Sequence, residues 1–237
     1  SLQPPFDNPE IRRVVLSCID QADFMTAAAG TDTTLWRTGV GVFPPETPMA
    51  TDVGNGVLKA RKDFEGVKRD LAAAGYRGEP VVLLTTSDPI PETPMGEVAA
   101  DLFRRIGFNV EVRQSDWATL AQRRGNRGPT TAGGWSGFIT AAGAENFIDP
   151  SVSVLTRGNG AEGWFGWPDI PELEQLNRQW MEAPDQATRQ DIARTIQTVV
   201  WREVPYFPLG QFFLPTAWRD LEGLRDGFPQ FYSVRRA

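Results

Sequence analysis

Two short apolar runs, separated by a helical stretch, constrain the fold of this chain more than any other feature. Residues 63–78 read "DFEGVKRDLAAAGYRG", 80–86 "PVVLLTT", 94–107 "PMGEVAADLFRRIG" and 108–114 "FNVEVRQ". In the first and third segments apolar residues recur at helical spacing, and Gly75 stops the first. The second and fourth are short, β-branched and bounded by turn residues. Strand, helix and strand in that order form a βαβ unit, whose strands lie parallel in one sheet. The fold class is therefore α/β. Such sheets bind ligands beyond the carboxyl ends of their strands. The loop "TSDPIPE" lies at one such end, which makes Thr86 and Asp88 candidate ligand contacts. Asp88 stands either as a partner for a cationic group or as the start of a turn before Pro89.

The flanking segments extend the pattern. "FDNPEIRRVVLSCID" places Asn8 as an N-cap and Pro9 at the first helical position, and Asp20 caps a second short helix that Gly30 ends. The prolines and glycines between Thr31 and Asn55 forbid long regular structure. "SDWATLAQRRG" reads as a helix capped by Ser115. Residues 170–203 hold two helices separated by "APDQ", and "VPYFPLGQFFLPTAW" reads as short strands. No internal repeat is visible.

Composition removes whole classes of chemistry. The 237 residues include no histidine, which excludes a Ser-His-Asp or Cys-His arrangement, a histidine metal site and an imidazole switch. The single cysteine, Cys18, falls on the apolar pattern of its helix and reads as a buried small hydrophobe. A net charge of -6 argues against a nucleic-acid surface. The arginine pairs Arg104-Arg105, Arg123-Arg124 and Arg235-Arg236 read as solvated faces. No apolar run reaches the roughly 18 residues that span a bilayer. No cofactor and no metal is expected.

The tryptophans carry the remaining signal. In "GGWSGFITAAGAENFIDPSV", Trp135 sits among glycines, which lend backbone freedom and leave a ring face uncovered for a ligand. Core packing is the competing reading. "GWFGWPD" sets Trp164 and Trp167 three apart, suited to stacking on a ligand, and Trp36 is a third candidate. Trp180 and Trp201 lie on apolar helix faces and read as packing. A carboxylate-dependent glycoside hydrolase is the rival from another class, with Asp88, Glu145 or Asp149 cast as its acids. Asp149 precedes Pro150, and turn geometry accounts for it.

Taken in order, "PPFDNPEIRRVVLSCID", a proline-rich loop, "GVKRDLAAAGYRG", "VAADLFRRIGFNVEVRQSDWATLAQRR", "GGWSGF" with its following Asp-Pro, and "VPYFPLGQ" resemble the C-terminal half of the solute-binding proteins of peptide-type (family 5) ABC importers. The resemblance implies a type II periplasmic-binding-protein-like lobe, with a mixed sheet flanked by helices, from a two-lobe protein that closes on its ligand. Residues 1–208 would form the second lobe, and 209–237 would return toward a first lobe whose N-terminal part is missing. The tail "GLRDGFPQFYSVRRA" would then either dock on this lobe or exchange with another copy. No catalytic residue is implied.

The resemblance also implies partners and a site. A peptide-like or other small polar solute would be captured between the lobes, outside the cytoplasm, and delivered to an ABC permease of the inner membrane. "GWSGF" is similar to a segment that reads glycine, tryptophan, threonine, glycine, aspartate in dipeptide-binding relatives, where the aspartate holds the ligand's amino group. Trp135 and Ser136 match that pattern, and Phe138 stands in place of the aspartate. Dipeptide-binding relatives carry an arginine for the ligand carboxylate in the strand-to-helix loop, where this chain reads Thr86, Ser87, Asp88, Pro89. The expectation is a ligand other than an unmodified dipeptide, read by Trp135, Ser136 and, if cationic, Asp88.

Overall fold

The computed structural model describes residues 3–215, 219, 221–222 and 235–236. Helix α1 (Pro9–Leu16) starts where the Asn8 side chain accepts the Glu10 N–H, and α2 (Gln21–Ala29) starts at Asp20 and ends at Gly30, whose φ of 83° favours glycine. Strand β1 (Trp36–Arg37) follows, then α3 (Phe64–Ala73), β2 (Pro80–Thr86), α4 (Glu92–Arg105) and β3 (Asn109–Ser115). The chain continues through α5 (Trp117–Arg123), β4 (Gly137–Phe138), α6 (Pro171–Glu182) and α7 (Gln186–Glu203). Three two-residue strands close it: β5 (Gln211–Phe212), β6 (Leu221–Glu222) and β7 (Arg235–Arg236). The cap of α5 is Asp116, whose carboxylate accepts the Thr119 N–H at 2.9 Å. Ser115, expected in that role, is instead the last residue of β3, paired with Thr86.

The sheet runs β3-β2-β4, all parallel. From β2 the chain moves to one side through α4 to reach β3, then returns through α5 to β4 on the other side of β2. Such a reversal is a switch point, and the crevice at the carboxyl ends of β2 and β4 is where sheets of this order take ligands. The antiparallel pairings lie apart, in β1–β5 and β6–β7.

Because side chains alternate along a strand, β2 serves two cores. Val81 and Leu83 pack with Ile11, Val15, Phe24, Leu71, Met95 and Phe103 of α1 to α4. Val82 and Leu84 pack with Leu120 of α5, Trp135 and Trp167. Each such aliphatic burial stabilises by about 1.5–3 kcal/mol.

Helices α6 and α7 build a third cluster under Phe43 and Met49, with Trp180 and Trp201 in it as the sequence pattern requires. The proline-rich loop has few backbone partners of its own, so two buried glutamines supply them. Gln197 accepts from Val42 N and donates to the carbonyls of Thr51 and Val53. Gln21 accepts from Val40 N and donates to the carbonyls of Val40 and Pro208. The segment after α7 docks on this body: β5 pairs antiparallel with β1, Trp36 opposite Phe212, and Phe207 and Leu209 pack on the first core. The tail expected beyond it lies largely outside the described residues.

Candidate functional site

The site is built on the β2 face that carries Val82 and Leu84. Gly133 has a φ of 87°, and a Cβ on Gly134 would lie 1.9 Å from the Gly128 carbonyl oxygen, so these glycines let 133–134 fold tightly against 128–129. The turn delivers Ser136 to β2. Its N–H donates to the Val82 carbonyl at 2.8 Å, and its hydroxyl accepts the Val82 N–H at 3.0 Å. Trp135 is thereby driven under the sheet edge, where it is 4% exposed. Its indole Nε1 donates to the Arg124 carbonyl at 3.1 Å, and it packs on Phe138 and Trp167 with ring centroids 5.1 and 5.8 Å away. The expected bare ring face is corrected: the glycine freedom serves a close backbone approach, and the indole is core.

Several other predicted contacts are likewise engaged within the fold. Ser136 and Thr86 are buried, and the Thr86 hydroxyl accepts the Asp88 N–H at 3.1 Å. The Asp88 carboxylate accepts the Trp117 N–H at 3.0 Å, so it braces the start of α5. Trp167 is 7% exposed beneath the Arg127 guanidinium. Trp36 lies with the opposite core, its Nε1 donating to the Gly30 carbonyl at 2.9 Å. The proposed acids are separate too: Asp149 accepts from the N–H and hydroxyl of Ser151, and Glu145 is exposed on a short 3-10 turn. Among the described residues, no group of three or more His, Cys, Asp or Glu could hold a metal.

What comes together is an arginine in a ring of aromatics. Arg124 is the residue at which α5 ends, and helical side chains lean toward the N-terminus. Its guanidinium carbon lies 5.5 Å from the Trp117 ring, 5.4 Å from Phe138, 5.7 Å from Trp164 and 4.5 Å from Phe165. Trp164 and Phe165 stack edge to face at 4.9 Å, and Phe138 and Phe165 meet at 6.3 Å. Phe138 pairs with Leu84 near the end of β2, which places this frame beside the switch-point crevice. The rings' attraction for the cation offsets part of its desolvation. Burial still pulls the guanidinium below its ordinary value. The Nε of Arg124 is buried without a hydrogen-bond partner among the described residues. The reading of Arg123-Arg124 as a solvated pair is thus overturned for Arg124. Its one sequence signal was the seven-residue spacing from Trp117, two helical turns on one face; the four rings come from α5, β4 and the 160s loop.

The model of the bacterial extracellular solute-binding proteins, family 5 Middle, matches residues 1–160. The chain belongs to this family. It is 34% identical over 242 residues to the probable peptide ABC transporter periplasmic-binding protein y4tO of Sinorhizobium fredii, a match over 100% of this chain and 45% of that protein. With the di/tripeptide-binding protein 4 of Pseudomonas aeruginosa it shares 23% identity over 83% of this chain and 33% of the relative. The chain thus spans less than half the length of these curated relatives. Among solved structures, the murein tripeptide binding protein MppA of Escherichia coli superposes with a TM-score of 0.71 at 16% identity, over 89% of this chain and 40% of MppA. The dipeptide binding protein of Pseudoalteromonas sp. SM9913, solved with Met-Leu, gives 0.70 at 21%, over 95% of this chain and 44% of that one. The fold of family 5 is therefore the fold here, a part of a type II periplasmic binding protein.

Proposed function

We propose that this chain forms one wall of the solute site in the extracytoplasmic binding component of an ABC importer. Residues 1–208 act as the second lobe and 209–237 as the segment returning to the first. A peptide-like or other small polar solute is captured between the lobes, shifts the open and closed populations, and is handed to an inner-membrane permease. The protein performs no chemistry of its own. Phe138 and Trp164, both half-buried, are the predicted residues that reach the solute. Trp135, Ser136, Trp167, Thr86 and Asp88 hold the surface on which those two sit.

The observation that carries this reading is the position of the aromatic frame: a family 5 fold with half-buried rings and a guanidinium unpaired among the described residues, grouped at the β2–β4 switch point. The peptide names of the curated relatives support a peptide-like solute. A glycoside hydrolase finds no support, since the Asp88 carboxylate holds the Trp117 N–H and the Asp149 carboxylate is engaged in its own turn with Ser151. The test is mass spectrometry of small molecules released on denaturing the longest natural form of the protein, followed by calorimetry with each. A stoichiometric peptide-like solute with micromolar or tighter affinity is expected. Release of none, together with glycoside hydrolysis by the purified protein, would overturn the reading.

A further inference from the structure

We propose that Arg124 anchors a carboxylate of the solute. This rests on the solute-binding reading above and adds to it the chemistry of the solute and the residue that recognises it. The sequence offered no cation for such a group, because the strand-to-helix loop reads "TSDP" and Arg124 was read as half of a solvated pair. In the fold, Arg124 leaves the far end of α5 and its side chain runs back toward the edge where β2 and β4 end.

The contrast with other arginines separates a structural role from a receptive one. Arg113 meets Glu111, Arg157 meets Glu174 through two nitrogens, and Arg202 meets Glu172 and Glu203. The Arg124 guanidinium has no hydrogen bond or ion pair among the described residues, only rings, and its Nε is sealed from solvent. A cation held this way is partly desolvated in advance, and the fork of its two Nη groups is left for a solute. A planar carboxylate fits that fork with two parallel, charge-assisted hydrogen bonds. The flanking rings exclude water from the pair, which strengthens it.

The expectation of a cationic solute read by Asp88 is replaced, because that carboxylate already holds the Trp117 N–H. The missing amine-binding aspartate keeps its meaning: Phe138 belongs to the ring frame, and its position carries no carboxylate for an ammonium group.

The test uses a panel of tripeptides prepared as free acids, as C-terminal amides and as N-acetylated free acids, titrated into the longest natural form of the protein with tryptophan fluorescence and calorimetry as readouts. Free acids should bind roughly 10- to 100-fold more tightly than the matching amides, as expected for loss of charge-assisted bonds at a desolvated site. Arg124→Gln should abolish that preference, and Arg124→Lys, which keeps the charge without the fork, should restore only part of it. Arg189→Gln is the control, since Arg189 also carries a buried Nε but lies over the single ring of Trp180 in another cluster; it should keep the full preference. Thermal unfolding of each variant shows that it is folded. Acids and amides bound equally, or a preference that survives in folded Arg124→Gln, would overturn the proposal and leave the solute-binding reading standing. Binding of no member of the panel in any form would remove the peptide-like solute and the carboxylate anchor together.

Discussion

Val81 and Leu83 on one face of β2, and Val82 and Leu84 on the other, are buried alike at 0–2% exposure, yet different material covers them. The first face lies under four helices, and the cation at its rim, Arg105 over Phe64, has Asp101 at 3.6 Å. The second lies under one short helix and two glycine-rich loops, whose rings surround a guanidinium with no acid partner among the described residues. One strand therefore separates two tasks. In the proposed binding role the helical face carries the scaffold and admits no solute. The aromatic face is assembled from loops, where binding residues are usually carried, on a scaffold that the other face makes rigid.

The largest test of this contrast compares Leu83→Ala with Trp135→Ala. Both should destabilise, by about 2–5 and about 3–5 kcal/mol respectively, because each empties a closed core. Urea unfolding measures them. A Trp135→Ala protein as stable as its parent but altered in solute affinity would break the comparison, since it would make the indole part of the site and not of its foundation.

A smaller effect should come from Ser136→Ala. It leaves the Val82 N–H buried without its acceptor and should cost about 1–3 kcal/mol, read in the same unfolding experiment. Restoration by Ser136→Thr would show that the hydroxyl is what matters. An alanine variant of unchanged stability would mean that β2 does not need the 133–138 turn to fix its edge.

The smallest effect concerns the loop that carries Trp164 and Phe165. Glu174 ties its start, accepting from Arg157 through both oxygens, at 2.8 and 2.7 Å, and from the Gly158 N–H at 2.8 Å. The Arg157 hydrogen bond, chiefly, holds the Glu174 carboxyl below its ordinary 4.5. A lowered folded value means that the unfolded chain takes up the proton first. The stabilisation is complete above the ordinary value and fades as the pH falls through the folded one. Because the Arg157 side chain is 44% exposed, the contribution should stay below about 1 kcal/mol. Parent and Glu174→Gln should therefore differ in stability at about pH 7 and converge as the pH falls below the ordinary carboxylate value. A constant gap across that range would assign the loop's anchorage to other contacts.

Much of this protein was legible from its own order of residues. The βαβ unit, the caps at Asn8 and Asp20, and the packing roles of Cys18, Trp180 and Trp201 all depend on neighbours within a turn or two, where backbone geometry fixes the distances. The error at Ser115 was of one residue, because β3 pairing claims that serine before α5 can. The order of the segments also pointed to the family.

The site was a different matter, and the tertiary structure decided it. Whether the Trp135 ring is bare depends on Val82, Trp167 and the Arg124 carbonyl, and whether Arg124 is solvated depends on rings at positions 117, 138, 164 and 165. Glycines around a tryptophan permit either outcome locally, and two adjacent arginines look the same in sequence even when the Nε of one meets the Gly133 carbonyl and the Nε of the other is buried among rings. Periodicity reports which face of an element is buried, because i to i+4 and i to i+2 separations are set by the backbone itself. It does not report what arrives from tens of residues away to cover that face, and desolvation, which distinguishes an anchoring cation from a solvated one, is a property of that arrival.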